Sequence, residues 1–412
     1  MKIAIVGGGA AGYFCAINIK ELVGSDCDVT IFEASSRSMT KLAVTGGGRC
    51  NLTNSFEQIS QLKMAYPRGE KLMKCAFRAF DYKQTFDWFE DHGIELVTQE
   101  DECVFPRSQD ALEVVNFFAD KAKEYNITVK HSHKVKLISA KNSGYELSFV
   151  DEKLSFQSFD IVVVTTGGQA NLEGFEMLGD LGLTLSEVCP SLFSFNIPSD
   201  DITSLMGTVV DNVKLSLSGS KITSLGTLLI THWGMSGPAV LKLSSYGARV
   251  LSERDYKSKF FVNWCGDTKP EKILQTLNSA LNENAQKLIT SIKPFALPQR
   301  LWVALIEKSG ISTSRRCAEL GTKGINKLVN TLSNDEYEIL GQTRFREEFV
   351  TCGGVSLSEI DLSTCESKKH ANLFLAGEVL DIDAITGGFN LQAAWSTAYL
   401  ITKAIEAKSA NV

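Results

Sequence analysis

Three glycines and one carboxylate near the amino terminus hold the clearest chemistry in this 412-residue chain. Gly7, Gly9 and Gly12 stand at G-x-G-x-x-G spacing with Ala10 and Ala11 between them, and Glu33 closes the stretch Asp28-Val29-Thr30-Ile31-Phe32. In such a loop the first glycine makes a tight turn, the second clears the approach of a pyrophosphate, and the third lets a helix lie close to a sheet. The helix N-terminus then offers free N–H groups and its positive dipole end to phosphates. Glu33 is placed to accept hydrogen bonds from both ribose hydroxyls, and its charge repels a 2′-phosphate. The pattern therefore points to a dinucleotide, FAD or NAD rather than NADP.

Other residues gather in a second glycine loop and at two strand ends. In Lys41-Leu42-Ala43-Val44-Thr45-Gly46-Gly47-Gly48-Arg49-Cys50-Asn51, three glycines beside polar side chains expose backbone N–H groups suited to a polar or anionic ligand edge. A flexible linker is the bland alternative, and the polar handles Asn51, Thr53 and Asn54 argue against it. Thr166, Gly167 and Gly168 end a buried run where open α/β sheets bind ligands. Near the carboxyl terminus, Gly377, Glu378 and Asp381 end another such run, and Gly387-Gly388-Phe389-Asn390-Leu391 opens a helix. A helix end preceded by two glycines can approach a ring system and stabilise negative charge gathering on it. Glu378 suits a ribityl hydroxyl; a cap or an exposed carboxylate is the other reading.

No acid or base stands out. His232, in Thr231-His232-Trp233-Gly234, is the candidate proton donor, with a hydrogen-bonded structural histidine as the alternative. Cys50 is a candidate redox thiol, although no partner stands at a disulfide-reductase spacing. His131 and His133 read as surface histidines at strand ends.

These residues require particular elements to hold them. Ile3–Val6 is an apolar run of strand length; Ala11, Phe14, Cys15, Asn18, Ile19 and Leu22 recur at helical spacing; and Asp28–Phe32 is a second strand, which completes a βαβ unit. Residues 71–93 and 112–125 read as helices, and Phe77, Phe80, Phe86, Trp88 and Phe89 read as core. Strands are expected at 128–131, 134–139, 145–149, 154–156 and 160–166. From Cys189 the pattern becomes one of short antiparallel strands, with Pro238 in the first turn of a helix, and residues 267–331 are largely helical. The final sixty residues return to α/β, with a helix over 393–407.

Length suits two or three domains. A net charge of -6 and the lack of a dense Lys/Arg tract argue for a small-molecule substrate and against a nucleic-acid partner. No apolar run reaches the roughly 18–20 residues of a membrane helix, and the first residues are already strand and phosphate loop, so no membrane association and a cytoplasmic location are expected. The ten cysteines include no C-x-x-C, which speaks against a disulfide framework or a metal site.

VGGGAAGYFCA, KLAVTGGGRCNLTN, THWGMSGPAVL, TCGGV and LFLAGEVLDIDAITGGFNLQAAWSTAY occur in that order along nearly the whole chain. Together they resemble the BaiN-like (YhiN-like) NAD(P)/FAD-dependent oxidoreductases of the glutathione-reductase-like superfamily. The resemblance implies an α/β fold: a Rossmann-like FAD-binding domain (1–190 and 351–412) interrupted by a β-barrel-like domain (191–266 and 336–350) and a helical domain (267–335). It implies FAD on Gly7, Gly9, Ala10, Ala11, Gly12, Glu33, Lys41, Thr45, Gly46, Gly47, Asn51, Val135, Thr166, Gly167, Gly168, Gly377, Glu378, Asp381, Gly387, Gly388, Phe389, Asn390 and Leu391. The chain departs from the family at Met39-Thr40-Lys41, where Gly-Arg-Lys is usual. The implied activity is hydride transfer between NADH or NADPH, bound flavin and a small organic substrate; no second G-x-G-x-x-G is present, so the nicotinamide would bind transiently. An FAD-dependent RNA-modifying enzyme and a flavin-binding redox sensor are the alternatives.

Overall fold

The computed structural model describes residues 1–198, 201–341 and 350–410. The chain forms two compact units, Met1–Pro190 with Glu347–Val412, and Ser191–Arg346. Positions 342–349, within the expected return segment of the β-rich insert, lie outside the described residues.

The first unit is built on a five-stranded sheet in the spatial order Leu373–Leu375, Ile161–Val164, Lys2–Val6, Asp28–Phe32, Thr128–Lys130. Every pairing in it is parallel. Apolar residues at consecutive positions, as in Ile3-Ala4-Ile5-Val6 and Ile161-Val162-Val163-Val164, are what a parallel strand covered on both faces requires, and all eight are buried. The sheet thus joins the first strand of the chain, a strand from its middle and one from near its end.

Two helices do the same for the layer above. Ala10–Val23 packs against Phe389–Ser409, with Phe14 and Trp395 in contact, ring centroids 5.3 Å apart, and both fully buried. Phe89 and Phe118 add further faces to Trp395, so Phe89 and Trp88 serve as core, as their spacing suggests. The C-terminal helix is longer than the sequence pattern shows, starting at Phe389 rather than near 393. Its buried Gln392, Ser396, Thr397 and Thr402 interrupt the apolar run; each finds a hydrogen-bond partner, as burial of polar groups demands.

The expected helices at 71–93 divide into Glu70–Ala76 and Tyr82–Asp91, the second begun by an Asp81 capping box. The strand expected at 154–156 forms instead at Gln157–Phe159, in a sheet with Val135–Ala140 and Tyr145–Phe149.

The second unit contains a six-stranded antiparallel sheet ordered Phe195–Asn196, Gly234–Ser236, Thr223–Thr231, Val209–Leu217, Lys257–Asn263, Asp335–Leu340. Its two edges approach each other where the Asn196 N–H donates to the Gly341 carbonyl at 3.2 Å, which makes the sheet barrel-like. Helix Pro238–Tyr246 carries Pro238 at its start, and helices Pro270–Glu283, Gln299–Lys308 and Thr322–Ser333 form the helical part.

Candidate functional site

At the first glycine loop, steric facts explain the residue choice. Gly7 has φ +116°, and a Cβ there would strike the Thr165 carbonyl; a Cβ on Gly12 would strike the Gly7 carbonyl. Gly9 differs, since a Cβ on it would meet nothing within 4 Å. It is the N-cap of helix Ala10–Val23, and no side chain caps that end. The N–H groups at the start of the helix, at Ala10 and Ala11, therefore have no side-chain acceptor from a capping residue, and the dipole end is left uncompensated by one.

Glu33 is fixed by backbone. Its Oε2 accepts the Gly8 N–H at 2.9 Å and its Oε1 the Ser35 N–H at 2.7 Å, so the carboxylate fastens the glycine loop to the end of its strand. Each oxygen keeps a lone pair for a further donor. Ser38, which the sequence reading passed over, lies beside this group: its Oγ meets Tyr13 Oη at 3.1 Å and His131 Nε2 at 2.9 Å. His131 is thereby tied into the loop's surroundings rather than standing alone. Val135 is buried in a neighbouring sheet, two residues beyond His133, whose N–H donates to the Glu33 carbonyl.

The second glycine loop begins in a short helical stretch, Thr40–Gly48, that kinks at Thr45, Gly46 and Gly47. Gly46 is confined by Asn51 and Phe105, whereas Gly47 and Gly48 border open space. The Asn51 amide lies 2.9 Å from the Thr53 carbonyl and 3.2 Å from the Gly388 N–H, in the orientation that donates to the first and accepts from the second. A Cβ on Gly388 would strike the Thr53 carbonyl. Residues 51–53 and the turn before the last helix are thus in direct contact.

Glu378 gathers the remaining pieces. Its Oε1 accepts the Thr351 N–H at 2.7 Å, its Oε2 lies 3.8 Å from Lys41 Nζ, and it covers Gly168, where a Cβ would come within 2.5 Å of Oε1. Gly167, with φ +72°, is 3.9 Å from Oε2 by the same measure. Thr166, just before them, has a buried hydroxyl with no hydrogen-bond partner. Such an orphan at the carboxyl edge of a parallel sheet is unsatisfied until a ligand supplies a partner.

Helix Phe389–Ser409 starts from Gly388 (φ +87°) without a side-chain cap, leaving a second first turn, through Leu391, whose N–H groups no capping side chain accepts from. Asn390 spends its amide on the backbone: Oδ1 accepts from Ala384 N at 2.9 Å and Nδ2 donates to Ala384 O at 3.2 Å. It shapes the Gly387 loop rather than presenting a free amide. Phe389 is buried and its carbonyl accepts from Tyr66 Oη at 2.9 Å. The Asp381 N–H donates to the Val355 carbonyl. Asp383, fully buried, pairs with Arg68 through both guanidinium and carboxylate forks. Neither Arg68 nor Asp383 carries a motif or a spacing that sequence reading can use.

The two candidate reactive residues fare differently. Cys50 is wholly buried, and burial pushes its thiol up to about 12 against the pull of the Thr45 hydroxyl, so it is held protonated. His232 is exposed in the turn between Thr223–Thr231 and Gly234–Ser236, edge-on to Trp233, and belongs to the second unit. All the expected cofactor-binding residues belong to the first unit. No cluster of metal-ligating side chains occurs among the described residues, and no described helix is long and apolar enough to cross a membrane.

The chemistry of this donor set fits an extended dinucleotide. It offers one uncapped helix end opening on Gly9, an acidic residue at the next strand tip, an orphaned threonine hydroxyl, and a second uncapped helix end behind two glycines. Comparison with known proteins agrees. The family described as HI0933-like protein Rossmann domain matches residues 1–404. The 3-dehydro-bile acid delta(4,6)-reductase of Clostridium scindens is 26% identical, over 98% of this chain and 98% of its own. The ribosomal RNA dihydrouridine synthase of Escherichia coli is 27% identical, over 96% of this chain and 95% of its own. Among solved structures, the 3-ketosteroid delta1-dehydrogenase of Sterolibacterium denitrificans covers 98% of this chain and 99% of its own, with a TM-score of 0.52 at 10% identity, which is a likeness of fold.

Proposed function

The chain belongs to the HI0933-like family, and from that premise we propose that it is an FAD-dependent oxidoreductase that moves hydride from NADH or NADPH to a small organic acceptor. The observation that carries the reading is the convergence at Glu378, where Lys41 from the N-terminal part, Gly167 and Gly168 from the middle and Thr351 from the C-terminal part meet one carboxylate. A site assembled from both ends of a chain suits a ligand with two separated recognition features, a diphosphate and a ring system.

When bound, FAD supplies the two-electron carrier. Gly7–Gly12 and the N–H groups behind them would hold the diphosphate, Glu33 a ribose, and Thr166, Gly167, Gly168 and Glu378 the polar middle of the molecule. Gly387 and Gly388 let the turn pack against the Phe389 ring and the Thr53 carbonyl at the second helix end, whose dipole favours negative charge beside it. Asn390 keeps that turn in shape. The names of the two relatives both denote adding hydrogen to a double bond. An activated carbon–carbon double bond is therefore the acceptor proposed here.

The test is an absorbance spectrum of purified or FAD-reconstituted protein, followed by anaerobic titration with NADH and with NADPH. Bleaching of a flavin band by either nucleotide is expected. Well-folded protein that takes up no flavin would overturn the reading.

A second reading, reduction of a base in RNA, is favoured by the Escherichia coli relative's name and by the charge of residues 267–335, where ten lysines and arginines stand against six aspartates and glutamates. A gel shift with ribosomal RNA fragments separates the two: retention at moderate salt supports RNA, and none supports the small acceptor.

A further inference from the structure

Residues 65–69 lie against the turn 382–389 that leads into helix Phe389–Ser409. The Ile385 N–H donates to the Ala65 carbonyl at 2.9 Å, and Tyr66 Oη donates to the Phe389 carbonyl at 2.9 Å. Arg68 and Asp383 face each other in an antiparallel bridge, where the guanidinium donates from Nε and a terminal nitrogen to the two carboxylate oxygens. Gly69 follows with φ +85°, and a Cβ there would come within 2.5 Å of the Ile382 side chain. From the helix itself, the Asn390 amide holds both the N–H and the carbonyl of Ala384. Ala65, Tyr66 and Asp383 are fully buried.

For stability alone, an ion pair is an expensive way to fill such a place. Two charges taken out of water often stabilise a fold no better than apolar side chains of the same volume, whereas one buried charge without its partner is strongly destabilising. What a buried pair supplies is selection between arrangements. The contact here is an isolated bridge rather than a ladder, so its backbone hydrogen bonds do little to fix the alignment. The two-pronged guanidinium–carboxylate contact admits one geometry, and a slip by one residue would bury Asp383 alone.

We propose that Arg68 is a positioning residue of the cofactor site: through Asp383 it locks the register of the turn 382–388 and so sets where the first turn of helix Phe389–Ser409 points. The part of this that concerns flavin rests on the FAD-dependent reading above. Arg68 acts through the turn. Its guanidinium holds Asp383, and the next residue, Ala384, is the one that the helix grips through Asn390.

The consequence follows from the short range of a helix dipole, which favours negative charge only beside its first turn. Displacing that end weakens the hold on a ring system placed against it and the stabilisation of the negative charge that the reduced ring carries. Loosening the register should therefore weaken flavin binding and make the bound flavin harder to reduce, even where the fold stays intact.

The experiment separates position from stability in the full-length protein. The double variant Arg68→Met with Asp383→Leu removes both charges and fills the space with apolar groups, so it should fold with a Tm near or above that of the wild type. Its flavin-free form should lose protection from hydrogen exchange at the Ala384 and Ile385 amides while strands Lys2–Val6 and Ile161–Val164 stay protected. Loaded with FAD, it should bind at least about tenfold more weakly than the wild type and show a more negative flavin midpoint potential. Arg68→Lys keeps the charge but loses the fork; it should show the same shifts in smaller measure, and it carries the test if the double variant does not fold. Leu147→Ala, which opens a cavity in strand Tyr145–Phe149 of the same unit, should lower Tm and leave FAD affinity and potential unchanged. Wild-type protection of the two amides in the Arg68 variants, wild-type FAD affinity and potential in them, or flavin shifts of the same size in Leu147→Ala would overturn the proposal. Wild-type protein that takes up no FAD overturns the proposed function instead, and the exchange of the two amides still decides whether Arg68 holds the turn.

Discussion

At the residue scale, glycines that look alike in the sequence have different tasks, and the difference can be measured. Gly12→Ala forces a methyl into the Gly7 carbonyl and should lower the stability of the flavin-free protein by about 1–3 kcal/mol. Gly9→Ala meets no atom and has an ordinary φ of -92°, so the flavin-free Tm should stay within a degree or two while FAD affinity falls at least about tenfold, or about 1.4 kcal/mol. Thermal melts of the apoprotein beside flavin titrations check both, and equal Tm losses in the two variants would count against an open phosphate site at Gly9. Asp383 is a different case, a carboxylate with no exposed side-chain surface paired to a guanidinium that is 13% exposed. Asp383→Ala leaves Arg68 without its counter-charge, and chemical denaturation should show a loss of about 3–5 kcal/mol.

At the element scale, the layer of helices over the sheet is joined at its rim by a charged latch. His92, at the end of helix Tyr82–Asp91, donates from Nδ1 to the Trp88 carbonyl at 2.6 Å and from Nε2 to Glu21 of helix Ala10–Val23 at 2.8 Å. Tyr125 Oη donates a second bond to the same Glu21 carboxylate at 3.0 Å. Both ring nitrogens face acceptors, which calls for the imidazolium. Burial opposes that charge and Lys121 repels it, but Glu21 and the Trp88 carbonyl outweigh them and raise the His92 pKa. A raised folded-state value means that the latch contributes in full below the unfolded value near 6.5 and is lost as pH rises through the higher folded one. Stability from urea titrations should therefore fall over that window, and His92→Gln should flatten the fall. An unchanged slope in the variant would show that the latch adds nothing.

At the scale of the whole molecule, the described chain makes one unit from both of its ends and another from its middle. The second unit has its own core, with Phe193, Phe195, Phe260, Trp264 and Tyr337 buried, and a sheet whose edges are joined at Asn196 and Gly341. Residues 191–346 expressed alone should therefore unfold in one cooperative urea transition with a stability of about 5–15 kcal/mol, read by tryptophan fluorescence. A gradual, non-cooperative loss of signal would show that the unit needs the rest of the chain. Much of this architecture was legible in the sequence because it is local: the βαβ unit announces itself through consecutive apolar residues, helical spacing and glycines at fixed offsets, all within the first 33 positions. Pro238 at a helix start and the switch to alternating strands after Cys189 are equally local. What the sequence could not show were contacts between residues far apart along the chain, namely Lys41 with Glu378, Asn51 with Gly388 and Arg68 with Asp383. Those partners have no common spacing or motif; only the return of the chain to its first sheet brings them together. The amino acid order by itself determined which backbone could turn, bend and leave room for a phosphate, while the tertiary structure decided which charges would meet, because their meeting depends on how distant strands are ordered in the sheet.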